Sequence, residues 1–545
     1  MRLRHILPAA LLAAAALSAP RLTPAQPAAA PAAAATPALP ADFDAYVARV
    51  LRTFDVPGAA VAVVKDGRVL VARGYGVKTL GRPDPVGPGT RFGIASNTKA
   101  FTATVLAQLV EEGKVEWDAP VVRYLPDFAL YDPWVTRELT VRDLLVHRSG
   151  LGLGAGDLLW WPASTYDRAE IARRLRFIRP ATSFRSAYAY DNVLYLVAGQ
   201  LIEKVTGQSW EDAVRTRILA PAGMTGSTVR HSDAARGGDV ATPHALVGAR
   251  VRPVAPMASD NTNPAGGVNS TAADMARWML VQLDSGRVPN ATDSAGRPRR
   301  LFSPASAREL WTPVTPLPAA RGAPPAGFEH LRSPVRGYAL GFFTSVYRGR
   351  FQLQHSGGLP GYTSLVTMLP DARLGVAVLT NAESGEAWQA ITLRAVDALL
   401  GAPAPDYLAL FARQRDAGRA ALAAADAGAR AARDSASRPS LPLAGYAGRY
   451  EDAWYGDVAV ALEDGRLVMR FGHTPQLVGD LEHWQHDTFV ARWRDRELRA
   501  DAYVTFALTP DGKVDQVKLA PASPDVDFSF DFQDLLLKPA PAARP

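Results

Sequence analysis

Three short stretches carry side chains suited to acyl-transfer chemistry. The first is Ser96-Asn97-Thr98-Lys99, directly before an apolar run of Ala100, Phe101, Val105, Leu106, Leu109 and Val110 that reads as an amphipathic helix. Residues three apart share one face of a helix, so the Lys99 amine can approach the Ser96 hydroxyl. In a helix's first turn Ser96 would also lie among free backbone N–H groups, which favour developing negative charge. A buried lysine with a lowered pKa can activate a hydroxyl. Taken alone, the stretch also fits an N-cap serine beside a solvated lysine. Only one of the eight lysines has a serine three residues before it. The second stretch is Tyr190-Asp191-Asn192. A tyrosine near Ser and Lys can relay a proton, and the Asn192 amide can bind a substrate carbonyl and hold the lysine. The alternative is an ordinary helix start. The third is His355-Ser356-Gly357-Gly358. Glycines let a strand backbone come close to a ligand. The Gly358 N–H can complete an oxyanion hole with that of Ser96, and His355 can orient the tyrosine or contact substrate. The bland alternative is a Gly-rich bend with a surface histidine.

The surrounding chain must bring these stretches together. Val61 to Val64, Lys65-Asp66-Gly67-Arg68 and Val69 to Ala72 read as a β-hairpin. Leu365 to Leu369 and Leu374 to Leu379, around Pro370-Asp371-Ala372, read as another. The early and late hairpins can share one antiparallel sheet with helices on its faces. Helical patterns cover Ala100 to Val110, Ala189 to Val205 and Ala272 to Leu283, the last opening on the capping-box-like Thr271-Ala272-Ala273-Asp274. Residues 402–442, Ala-rich and Arg/Asp-rich, read as a helical linker. From 443 to 540 short alternating strands with Asp464-Gly465 and Asp511-Gly512 turns predict a small all-β barrel or sandwich.

Composition narrows the function classes. The chain has 545 residues, 48% hydrophobic and 21% charged, which excludes a mostly disordered chain and a polytopic membrane protein. It has no cysteine, which excludes disulfides, zinc-thiolate and iron–sulfur sites, a cysteine nucleophile and a lipidated cysteine. Net charge is +7, and Arg2, Arg4 and Arg21 fall in a segment expected to be removed, leaving about +4. Arg297, Arg299 and Arg300 read as a solvated loop rather than a nucleic-acid surface. His473, His483 and His486 read as barrel surface rather than metal ligands, and His147 as structural. Trp160 and Trp161 suit a pocket wall or the core equally. No Walker A motif or dinucleotide fingerprint occurs, so no cofactor is expected. Residues 1–25, with Arg2 and Arg4 ahead of the apolar run Ile6 to Ala19, read as a signal peptide, cleaved after Ala19 or Ala25. Residues 26–40, almost entirely Ala and Pro, read as a tether. The expected location is periplasmic or secreted, with no stable membrane span once the leader is gone.

The three stretches occur in order within family-like surroundings. These are Val56-Pro57-Gly58-Ala59-Ala60-Val61-Ala62-Val63-Val64, Phe92-Gly93-Ile94-Ala95, Leu139 to Leu151, and Ala265-Gly266-Gly267-Val268-Asn269-Ser270-Thr271. Over residues 41–401 the chain resembles the serine β-lactamase-related family of class C β-lactamases, S12 peptidases, esterases and D-aminopeptidases. Residues 443–540 resemble the lipocalin-like β-domains that follow some of its members, where the extra domain can shape access to the site or support assembly. The resemblance implies an α+β fold: an antiparallel sheet flanked by helices plus a helical subdomain, with the site between them. It implies Ser96 as acyl-enzyme nucleophile, Lys99 and Tyr190 sharing proton transfer, and Asn192 binding substrate. His355 stands where β-lactamases carry the lysine of K-T-G that binds a β-lactam's carboxylate. His at this place is common among the peptidases and esterases. The expected activity is hydrolysis of a D-amino-acid-containing peptide or a small ester, with a β-lactamase or penicillin-binding protein as one alternative. A non-catalytic peptidoglycan-binding protein is another. The expected partner is a small-molecule or peptide substrate, and the oligomeric state is left open.

Overall fold

The computed structural model describes residues 38–236, 238–318 and 322–541. The expected signal peptide, and the expected tether before Ala38, lie outside the described residues.

Strands β1 (Gly58–Lys65) and β2 (Arg68–Gly76) form the early hairpin. The turn residues Asp66 and Gly67 both have positive φ, the backbone that a two-residue hairpin requires. β3 (Thr315–Pro316), β4 (Arg336–Tyr338), β5 (Phe343–Tyr347), β6 (Arg350–Leu359), β7 (Tyr362–Leu369) and β8 (Leu374–Thr380) complete an eight-stranded antiparallel sheet. Its order is β2-β1-β8-β7-β6-β5-β4-β3, so the early and late hairpins pair through β1 and β8.

The continuous apolar run of β1 follows from burial on both faces. Ala60, Ala62 and Val64 enter one core, and Ala59, Val61 and Val63 enter the other. Helices α1 (Phe43–Thr53) and α5 (Gly385–Leu400) cover the second face. On the first face lies α4 (Ala272–Leu283), capped by Thr271 Oγ1, which accepts the Asp274 N–H at 3.1 Å. The helical half holds α2 (Lys99–Glu111) and α3 (Val193–Thr206). α2 departs from expectation: it is not amphipathic but buried from Lys99 through Leu109, because it threads between the sheet and the other helices.

Helix α6 (Tyr407–Ala432) begins with Tyr407, Leu410 and Phe411 buried against the second core and continues largely exposed. Beyond it, β9 (Gly448–Asp452), β10 (Gly456–Glu463), β11 (Arg466–Phe471), β12 (Val478–Gln485), β13 (Thr488–Trp493), β14 (Ala502–Leu508) and β15 (Val514–Pro521) form an antiparallel meander. The short strand β16 (Lys538–Pro539) pairs with β9, and Leu537 bridges Val517 of β15. The result is a nearly closed eight-stranded barrel packed around Phe471, Trp493, Phe506 and Phe532. Among the described residues no helix is long and apolar enough to cross a membrane.

Candidate active site

Ser96 sits in a 3-10 turn, Ala95–Thr98, immediately before α2 rather than within its first turn. Ala95 holds a left-handed φ of 49°. The turn is tied to the sheet by Ser364 of β7, whose Oγ donates to the Ile94 carbonyl at 2.8 Å and accepts from Asn97 Nδ2 at 2.8 Å. The Ala265 to Thr271 stretch backs it, with Ile94 N–H donating to the Val268 carbonyl at 3.0 Å.

Lys99 is fully buried, not solvated. Its Nζ lies 3.0 Å from Ser96 Oγ, 2.7 Å from Asn192 Oδ1 and 3.2 Å from the Ala265 carbonyl. Burial pulls its pKa down to about 7, against an opposing pull from the Asp157 and Asp191 carboxylates. Nζ also lies over the Tyr190 and Tyr195 rings, at 4.8 and 5.2 Å. Tyr190 sits at the end of the loop leading into α3. Burial pushes its phenol well above the usual value, while a hydrogen bond with Ser96 pulls the other way. Ser96, Lys99, Tyr190 and Asn192 thus form one connected cluster.

The third stretch lies on β6 beyond its pairing with β5, which ends at Gln354. Leu359 and Tyr362 close a two-residue hairpin, so alternation along the ladder places Gly358 at a non-hydrogen-bonded pair with Thr363. Its N–H therefore points away from β7 to the open edge, and Gly358 and Ser96 line the same cavity. Gly357 is required by close approach: a Cβ there would sit 2.2 Å from the Ile94 carbonyl oxygen. At Gly358 a Cβ would meet nothing within 4 Å.

His355 is not at the surface but buried. Its Nδ1 is 2.6 Å from the Ser356 carbonyl and its Nε2 is 2.9 Å from the Tyr338 hydroxyl. Burial draws its pKa down to about 3, which keeps the ring neutral. With Nδ1–H donating to the carbonyl, Nε2 is then the acceptor for the phenol. Its hydrogen bond goes to Tyr338 rather than Tyr190, whose ring centroid is 6.2 Å away.

These groups open onto a cavity of about 350 Å³. Its apolar wall includes Leu153, Trp160, Trp161, Phe343, Leu359 and Phe528. The two tryptophans are thus both buried and pocket-lining. His147 lies beneath the floor, 4.3 Å from the Tyr190 ring and 4.4 Å from the Tyr338 ring, centroid to centroid. Sequence reasoning missed Asp157 and the C-terminal contributors Asp527, Phe528 and Ser529. Asp157 is fully buried, accepts from Asn192 Nδ2 at 2.8 Å, and is pushed by burial up to about 7. No local spacing marks a contact made across 372 residues, as between Asp157 and Ser529. His231 and Thr262, also on the wall, carried no motif.

This arrangement of an antiparallel sheet, a helical half and a Ser-x-x-Lys turn between them is matched by known proteins. The Beta-lactamase family model matches residues 43–400, and a model described as a domain of unknown function, DUF3471, matches residues 432–539. The chain belongs to the β-lactamase family of serine hydrolases. The unguisins hydrolase of Aspergillus violaceofuscus is 30% identical over 515 residues, covering 89% of this chain and 88% of the relative. Penicillin-binding protein 4 of Amycolatopsis lactamdurans is 31% identical over 335 residues, covering 60% of this chain and 81% of its own. Among solved structures, the octameric penicillin-binding protein homologue from Pyrococcus abyssi shares the fold. Its TM-score is 0.56 at 22% identity, over 91% of this chain and 99% of that one.

Proposed function

We propose that the protein is an exported hydrolase that cleaves an amide or ester through an acyl-enzyme on Ser96. D-amino-acid-containing peptides are its first substrate class and small esters the second. The observation that carries this reading is the contact of Lys99 Nζ with Ser96 Oγ at 3.0 Å, inside a site where the amine titrates near neutrality. Lys99 is then the base and Tyr190, whose phenol holds its proton, is the relay. Ser96 Oγ attacks the carbonyl carbon as its proton passes to Lys99. The N–H groups of Ser96 and Gly358 hold the oxyanion. The C–N or C–O bond breaks, and the leaving amine or alcohol takes the proton through Tyr190. Water then attacks the ester, releases the acid and restores Ser96.

Two further observations support amide or ester over β-lactam. A relative matched over 89% of this chain is named a hydrolase, of unguisins, and not a β-lactamase. His355, in place of the K-T-G lysine, is neutral, and among the described residues no lysine or arginine lines the cavity, whose one acidic side chain, Asp527, is pushed up by burial. That wall offers no cation to a β-lactam's carboxylate. Export follows from the N-terminal sequence pattern alone.

Intact-mass spectrometry of the mature protein with a fluorophosphonate and with a penicillin, beside Ser96→Ala, tests the reading. One fluorophosphonate adduct, lost in the variant, is the expected result. A lasting penicillin adduct would favour a penicillin-binding site with slow deacylation. No adduct from either reagent on a folded protein would leave a binding protein.

A further inference from the structure

Between β15 and the closing strand β16 the chain leaves the barrel and crosses to the catalytic half. Two polar contacts dock it on consecutive residues, Gly156 and Asp157, at the start of the 3-10 turn Asp157–Leu159. The Gly156 N–H donates to Asp531 Oδ2 at 2.7 Å, and Ser529 Oγ donates to Asp157 Oδ2 at 2.8 Å. Ser529 and Asp157 are both buried. Asp157 Oδ2 also accepts from Asn192 Nδ2 at 2.8 Å, while Oδ1 accepts from Trp160 Nε1 at 2.9 Å. Asn192 presents its other amide atom, Oδ1, to Lys99 Nζ at 2.7 Å. The links form one unbroken chain: Ser529, Asp157, Asn192, Lys99, Ser96.

We propose that Asp157 and Ser529 are positioning residues for the catalytic lysine, so that the C-terminal segment, not the β-lactamase-like half alone, completes the active site. The inference rests on the acyl-enzyme reading of that site. An amide side chain can turn either end toward its neighbours. In its ionised form the Asp157 carboxylate only accepts, and it fixes Asn192 with its nitrogen inward and its oxygen toward Lys99. Ser529 supplies a second donor to Oδ2, the oxygen that Asn192 also reaches, while Trp160 serves Oδ1. Without that donor the ionised form of Asp157 is less favoured, and the ammonium form of Lys99 loses part of its nearest counter-charge.

The other titratable groups around the pair are fixed in kind. Asp191 and His147 lie behind Tyr190, and His355 and Tyr338 approach from the sheet. The rings of Tyr190 and Tyr195 cover Nζ, Asp531 faces Asp157 from the C-terminal segment with Asp534 beside it, and Asp527, which accepts the Ser529 N–H at 2.9 Å, lies against the Ser529 hydroxyl as well. None of these replaces the Ser529 hydroxyl as a donor to the carboxylate in the described structure.

The test uses the full chain labelled with ¹³C-lysine, with the Lys99 signal assigned by its loss in Lys99→Met. Its titration midpoint is followed in wild type, Ser529→Ala, Ser529→Thr and Asp157→Asn, and rates of Ser96 phosphonylation by a fluorophosphonate, with loss of fluoride, are measured across pH on the same samples. In Ser529→Ala the Lys99 midpoint should fall by about half a pH unit. The acid limb of phosphonylation should move down with it, and the plateau rate should drop several-fold. Ser529→Thr, which keeps the hydroxyl, should return both toward wild type. Asp157→Asn, which removes the charge, should lower the midpoint further and serves if Ser529→Ala does not fold. A Ser529→Ala midpoint and acid limb superimposable on wild type overturn the inference, as does a threonine variant that behaves like the alanine one. The midpoint needs no reagent. A wild type that takes no fluorophosphonate would therefore sink the acyl-enzyme reading while the link to Lys99 is still measured.

Discussion

The two eight-stranded antiparallel sheets solve the problem of their edges differently. The catalytic sheet is open, and helices bury β1 and β8 on both faces. The C-terminal sheet curls until Leu537 to Pro539 join its first and last long strands, and each strand keeps an inward and an outward face. In both, the residues at the cavity lie where regular pairing stops. On β6 they lie beyond the last pair with β5. In the barrel they lie in the excursion between β15 and β16. Closed pairing gives stability, and interrupted pairing leaves backbone and side chains free to serve a ligand.

That contrast can be broken most severely at the nucleophile. Ser96→Ala should cut hydrolysis by roughly 10⁴-fold or more with the fold intact, measured by kcat/KM beside circular dichroism. A smaller loss would remove Ser96 from the chemistry. Gly357→Ala comes next. Its new methyl would drive β6 off the Ile94 carbonyl, costing about 1–3 kcal/mol of stability by thermal unfolding and about 10²-fold in acylation rate. Between pH 5 and 9, acylation should rise about tenfold per pH unit below the Lys99 midpoint near 7 and level off above it, since only the free amine accepts the Ser96 proton. A rate still climbing at high alkalinity would instead make Tyr190 the base. Phe528→Ala, which removes an edge-on ring 6.0 Å from Tyr190, should raise KM for apolar substrates about 3–10-fold with little change in kcat. Gly358→Ala sharpens the comparison from the mild side. With open space for the methyl and no left-handed backbone, it should shift stability by no more than about 0.5 kcal/mol and the rate by less than about threefold.

Sequence reading reached those features whose cause is local. The hairpin at Asp66-Gly67, the cap at Thr271 and the Ser96 to Lys99 approach each depend on residues within four positions, and the structure has all three. Sharing of one sheet by the early and late hairpins was also legible, because the runs that became β1 and β8 are continuously apolar and need cover on both faces, whereas β2 is an exposed edge. Spacing did not carry tertiary surroundings. The α2 pattern suggested one exposed face, yet the helix is enclosed by elements far away in sequence. His355 read as a surface or tyrosine-orienting group, and only the fold brings Tyr338 to its Nε2. Asp157 and Ser529 had no signal, since a serine or aspartate in a loop is ordinary until its distant partner is known.

The late position of the docking segment also sets an order in time. Ser96 and Lys99 leave the ribosome early, and 433 residues separate Ser96 from Ser529. At translation rates of about 5–20 residues per second, roughly 20–90 s pass between synthesis of the nucleophile and synthesis of the hydroxyl that braces its lysine. On the proposal that Ser529 braces Lys99, the nascent chain holds its serine and lysine through that interval without the full set of contacts that align them. The site then reaches its full hydrolytic rate only after residue 529 has been made and the segment has docked.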